Sequence, residues 1–316
     1  MKKNNFKTEV LDGLNSSPKT LPSKYFYDEK GDELFVKIMN LPEYYLTRSE
    51  FEILQYKSEA IIKTLQLDKT NYFELIELGA GDGKKTKLFL KALLDNKFNF
   101  SYLPIDISQH ALTDLKTNLE KEFKDLQVKP KQGKYFQVLQ DIKQNKTPKV
   151  ILFLGSNLGN MPDEEAKRFM QQLSEALQTR DKVVLGLDLI KSEDIVLPAY
   201  NDASGITKAF NINLLSRINK ELDADFNLNE FDHVPEYSEK TGVAESFLVS
   251  KTNQNVSFNN SNVSINFTEG EKIHTEISRK YNETILADIL SDTKLKIIDQ
   301  FLDSKQYFSS YILEKQ

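Results

Sequence analysis

Three glycines alternate in Glu77-Leu78-Gly79-Ala80-Gly81-Asp82-Gly83-Lys84-Lys85, at the end of an apolar run. A strand, a glycine-rich turn and a helix in that order bring backbone N–H groups and a helix N-terminus to one point, which suits a cofactor. A dinucleotide turn wants G-x-G-x-x-G, but Lys84 stands where its third glycine would be. The spacing therefore favours a ligand that needs close backbone approach and no pyrophosphate cradle. Asp106 ends the next apolar run, where a carboxylate can accept both hydroxyls of a ribose. The plainer alternative is a tight turn with a chance acid downstream.

Other segments hold polar groups of the right kind. In "FLGSNLGN" (153–160), Asn160 can present amide donors and a carbonyl to a polar substrate, or simply cap the helix after Met161-Pro162. Tyr44, Tyr45 and Tyr200 each follow a proline turn, and packing is their default role. In "IHTEISRKY" (273–281), a strand places Glu276 and Ser278 on one face, about 6.6 Å apart. Ile273, Thr275 and Ile277 take the other face.

These residues need elements to hold them. From about 70 to 190, apolar β-rich runs alternate with helical patterns, the signature of a parallel sheet covered on both faces. The strands are expected at 73–79, 100–107, 127–130, 149–155 and 181–190. Leu88, Leu90, Leu93 and Leu94 mark one helix; Phe169, Met170, Leu173 and Leu177 mark another, started by Pro162 and Asp163. Residues 206–222 read as a long amphipathic helix, and 243–281 as an antiparallel meander. A helix at 283–291 and two final strands return to the α/β pattern. Residues 57–191 plus 280–316 are thus expected to form one α/β domain. Residues 1–56 plus 192–279 form a second, α+β domain.

Composition narrows the classes. The chain has 316 residues, 39% hydrophobic and 28% charged, as in ordinary globular proteins. A net charge of -5 gives no support for a nucleic-acid partner. With no cysteine, a disulfide, a thiolate metal site and a cysteine nucleophile are all excluded. His110, His233 and His274 are too scattered for a local metal motif, so no metal is expected. No apolar run suggests a signal peptide or membrane span. A cytoplasmic monomer acting on a small molecule is the simplest expectation.

Glu77 followed by G-x-G-x-G is the pattern of S-adenosylmethionine (SAM) methyltransferases. Together with "LPSKYFYDEKGDELFVKIMNLPEYYLTRSE", "LPIDIS", "FLGSNLGN", "LGLDLIKS", "AYNDASGITKAFNINLLSRINKELDADF" and "GEKIHTEISRKY", it resembles the histidine Nα-methyltransferases of ergothioneine biosynthesis, from about residue 18 to the C-terminus. That resemblance implies a class I SAM-methyltransferase fold, with a Rossmann-like, mainly parallel seven-stranded sheet and a second α+β substrate-binding domain. It implies trimethylation of the α-amine of L-histidine to the betaine hercynine.

Residue by residue, it puts Tyr44 near both cofactor and substrate. Gly79, Gly81, Lys85, Asp106 and Tyr135 fall at SAM, with Lys85 on the methionine carboxylate and Asp106 on the ribose. Asn160 and Tyr200 fall at the α-amino and carboxylate groups, and Glu276 and Ser278 at the imidazole. Tyr27 lies close to the reacting amine. Three positions depart from the family pattern. Lys134 replaces the acid expected at the adenine amine, leaving Asp141 or a backbone carbonyl as alternatives. Ser246 replaces a methionine of the side-chain pocket, and Asn201 replaces an acid. Methylation of another aromatic amino acid or amine, or SAM binding without catalysis, are the rival readings.

Overall fold

The computed structural model describes residues 3–133, 135–259 and 263–316. The chain divides into two units, Met1–Tyr45 with Lys191–Ser278, and Leu46–Ile190 with Arg279–Gln316. The first unit opens with α1 (Lys3–Asn15), β1 (Lys19–Thr20) and α2 (Glu29–Met39), and α3 (Tyr45–Leu65) starts at its border. The second unit follows as β2 (Phe73–Leu78), α4 (Thr86–Asp95), β3 (Phe100–Asp106), α5 (Gln109–Glu122), β4 (Gln127–Val128), β5 (Lys131–Gln132), α6 (Tyr135–Gln144), β6 (Lys149–Phe153), α7 (Asp163–Ala176) and β7 (Lys182–Asp188). The first unit resumes with α8 (Glu193–Tyr200), α9 (Ile206–Leu222), β8 (Phe231–Ser238), β9 (Val243–Ser250), β10 (Gln254–Phe258), β11 (Val263–Phe267) and β12 (Lys272–Arg279). Helix α10 (Glu283–Leu290), β13 (Leu295–Leu302) and β14 (Phe308–Lys315) complete the second.

The second unit is a doubly wound sheet in the order β13-β14-β7-β6-β2-β3-β4, with β5 also paired to β3. The pairs among β2, β3, β4, β5, β6 and β7 are parallel, and only β14 against β7 and β13 runs antiparallel. Its eight strands differ from the expected seven because two short strands, β4 and β5, share the edge of β3. Alternation along the strands feeds both faces: Ile151 and Phe153 pack with α7 and α10, Val150 and Leu152 with α3 and α4. The expected boundary at 56/57 lies inside α3. Ile53, Leu54, Ile61 and Ile62 bury one stripe of that helix against the sheet, so almost the whole helix goes with the second unit.

In the first unit a four-stranded sheet runs β1-β12-β9-β8. The expected meander is not continuous, because β10 and β11 form a hairpin of their own. That hairpin turns Val256, Phe258, Ile265 and Phe267 into the unit's core, beside Phe210, Leu214 and Ile218 of α9. The N-terminal segment adds β1 in parallel to the edge of β12, with Lys19 opposite Ile273. Among the described residues, no helix is long and apolar enough to cross a membrane.

Candidate functional site

In the second unit the chain leaves β2 through Gly79 (φ +77°) and Gly81 (φ +54°), a backbone that L side chains rarely adopt. A Cβ at Gly79 would stand 2.5 Å from the Tyr135 hydroxyl and 3.0 Å from the Asn157 side-chain nitrogen. A Cβ at Gly81 would meet nothing within 4 Å, so this glycine borders open space. Gly81 N–H donates to Asp106 Oδ2 at 3.2 Å, and Ser108 N–H to Oδ1 at 2.9 Å. Each carboxylate oxygen of Asp106 thus keeps further acceptor capacity. An open, backbone-lined glycine turn beside such an acid fits the donor and acceptor pattern of an adenosyl cofactor.

Glu77 lies buried beneath this turn, accepting from Thr86 Oγ1 at 2.7 Å and from the Tyr102 hydroxyl. Burial pushes its carboxyl up to about 7, against the pull of those two hydrogen bonds. It anchors the turn to α4 and β3. Tyr135 has its ring packed edge-on to Phe153 at 5.5 Å, so its side chain serves the core and backs Gly79.

The loop after β6 is strapped on several sides. Glu50 of α3 is 0% exposed and takes Gly155 N–H on both oxygens, at 2.8 and 3.0 Å. The same carboxylate pairs with Lys85. Ser156, in the left-handed region at φ 55°, accepts Asp188 N–H on its hydroxyl at 3.0 Å. Gly159 passes so close to Arg279 that a Cβ would lie 2.6 Å from the Arg279 carbonyl oxygen. Asn160 ends this loop, exposed, and α7 begins after Pro162 with no side-chain cap. The capping role open to Asn160 on sequence is therefore absent.

Beside the loop, Lys280 and Asp188 form an ion pair at 2.8 Å with both side chains 0% exposed. Asp188 also accepts Tyr281 N–H on its backbone carbonyl. This pair fixes the chain where β7 ends and α10 approaches.

In the first unit, Tyr200 at the end of α8 donates its hydroxyl to Ser278 Oγ at 2.8 Å, both residues being buried. Glu276 is half-buried on the same strand as Ser278, and Ser246 Oγ of β9 lies 3.4 Å from its Oε2. Ser246 is fully buried, and its carbonyl accepts from Thr275 Oγ1, which faces the other way along β12. Tyr27, 41% exposed, meets Phe35 and Phe210 edge-on at 5.5 and 5.8 Å, and Phe35 meets Tyr44 at 6.4 Å. The first unit thus gathers Tyr200, Ser278, Glu276 and Ser246 in one polar group, and Tyr27 and Tyr44 along one aromatic row.

Lys134 lies outside the described residues. Asp141, one of its two alternatives, is exposed and paired with Lys131 on the surface of α6. Glu50 and Asn157 stand outside the candidates that the sequence offers. Glu50 carried a signal all the same, because it shares the helical stripe of Ile53 and Leu54, and an acid in an apolar stripe needs a partner. Asn157 carried none beyond its turn. Among the described residues no group of three or more metal-ligating side chains is arranged to hold an ion.

The profile of the family described as histidine-specific, SAM-dependent methyltransferases matches residues 6–315. A histidine N-alpha-methyltransferase of Mycolicibacterium smegmatis is 34% identical over 282 residues, covering 89% of this chain and 86% of the relative. One of Mycobacterium tuberculosis is 32% identical over 307 residues, covering 97% and 94%. The ergothioneine biosynthesis protein 1 of Schizosaccharomyces pombe is 28% identical, covering 94% of this chain and 39% of its own length. With a family profile matched along almost its whole length, the chain belongs to the histidine-specific, SAM-dependent methyltransferases.

Proposed function

We propose that this protein transfers methyl groups from SAM to the α-amine of L-histidine, three times, to give hercynine, the betaine that leads to ergothioneine. The observation that carries this reading is the Tyr200–Ser278 hydrogen bond beside Glu276, within a chain of this family. Neutral imidazole has one donor and one acceptor nitrogen. Glu276 accepts from the first, and the Ser278 hydroxyl, oriented by Tyr200, answers the second.

SAM supplies an activated methyl group, so the protein's task is to align donor and acceptor and to provide a neutral amine. The backbone of Gly79 and the open face of Gly81 receive the cofactor's methionine part, and Asp106 its ribose hydroxyls. Lys85 takes the methionine carboxylate while Glu50 holds the ammonium in place. Tyr135 supports the turn. An α-amine with a reference pKa of about 7.7–8.0 is mostly protonated at neutral pH and must lose a proton before each transfer. A water at Tyr27 accepts that proton, and Asn160 orients the nitrogen lone pair. Tyr44 lines the substrate.

We place the reaction in the cytoplasm, carried out by a monomer. The test is a panel of amino acids incubated with isotopically labelled SAM: label should enter histidine ahead of tryptophan, tyrosine and histamine. Label absent from histidine would overturn the reading. A second reading, a different aromatic amine as substrate, is favoured only by the small side chain of buried Ser246 beside Glu276. The same panel decides between them.

A further inference from the structure

We propose that Gln132 accepts the 6-amino group of the cofactor's purine; this deepens the cofactor reading above and rests on it. Three neighbouring parallel strands, β2, β3 and β5, end side by side at the carboxyl edge of the sheet. After β2 comes the glycine turn, at the end of β3 stands Asp106, and in register with it, at the end of β5, stands Gln132. An adenosyl ligand has the same linear order: amino-acid part, ribose, purine. With the first part on the glycine turn and the ribose on Asp106, the purine continues outward toward β5.

The side chain there is already oriented. Gln132 Nε2 donates to the Ile107 carbonyl at 2.9 Å, which fixes the amide, because a carbonyl cannot donate. Its Oε1 is left as an acceptor, and no donor among the described residues reaches it. Gly133 N–H donates to the Asp106 carbonyl at 3.1 Å and holds the strand end against β3. Ile107, between the ribose acid and this amide, leaves 45% of a large apolar side chain exposed, a wall suited to a flat ring. The 6-amino group of adenine is a donor, whereas the 6-oxo group of hypoxanthine is an acceptor that would face Oε1 unpaired.

The experiment is calorimetric titration of the full chain with S-adenosylhomocysteine and with S-inosylhomocysteine, for the wild type and for Gln132→Leu. The wild type should prefer the adenosyl ligand by about ten-fold, and Gln132→Leu should bring the two within about threefold. An unchanged ratio in a variant that melts like the wild type, or a wild type without preference, overturns the role of Gln132. If the wild type binds neither ligand, the cofactor reading itself fails, and this proposal with it.

Discussion

In the proposed function the two units meet their ligands by different physical means. In the second, the groups that face the open glycine turn are mainly backbone, delivered by one short stretch from Gly79 to Lys85 and completed by Asp106. In the first, they are side chains drawn from separate elements: Tyr27 before α2, Tyr200 on α8, Ser246 on β9, Glu276 and Ser278 on β12. Backbone recognition depends on φ angles that only a few residues tolerate. Side-chain recognition depends on rotamers that any one partner can release.

Ion pairs of the two units differ in burial, and the largest effect follows from that. In the second unit Lys280 and Asp188 are fully buried together, so Lys280→Ala removes the cation that faces a buried carboxylate. It should cost about 3–5 kcal/mol, measured by denaturant unfolding. The exposed pair Lys30–Glu33 of the first unit should cost less than about 1 kcal/mol when broken in the same way.

Acidity separates the units next. In the first, burial lowers His233 from 6.5 to about 4, and neither ring nitrogen has a hydrogen-bond partner. Between those values the unfolded chain binds the proton that the folded chain refuses, so stability falls as pH drops from about 6.5 to about 4. In the second, burial raises Glu77 from 4.5 to about 7, so its contribution is full below the lower value and is lost as pH rises through the upper one. Each swing is of the order of 3 kcal/mol. Unfolding titrations should lose the acid limb in His233→Phe and the neutral limb in Glu77→Gln; profiles identical to the wild type would remove these two groups from the account.

Smaller effects probe the ligand-facing groups. Glu276→Ala should raise the histidine KM by the equivalent of about 1–3 kcal/mol while the SAM Kd stays nearly constant. Equal losses for both ligands would erase the division of labour between the units. Tyr27→Phe should lower kcat by about ten-fold and move the pH profile of the reaction, since its proposed part is to hold the water that takes the proton. An unchanged profile would release Tyr27 from that role.

The same contrast explains what the sequence makes legible. Strands β2, β6 and β7 are buried on both faces and read as continuous apolar runs; the glycine turn is local, so its spacing is visible in the chain. Strand β8 is not legible in the sequence, because Pro235 interrupts it and one face is solvated. Strands β1 and β5 are two residues each, too short to show a period. Glu50 acts at Gly155, more than a hundred positions away, and only tertiary packing reveals that partner. Local spacing connects Glu276 with Ser278 alone, and only the family resemblance joins Tyr27 and Tyr200 to them.

One measurement tests the central claim most directly. The purified chain is incubated with L-histidine and SAM carrying a deuterated methyl group, and the products are followed by mass spectrometry over time. The account predicts mono-, di- and then trimethylated histidine, with every label on the α-nitrogen. Unmodified histidine under conditions in which SAM binds, or label on the imidazole ring, would contradict it.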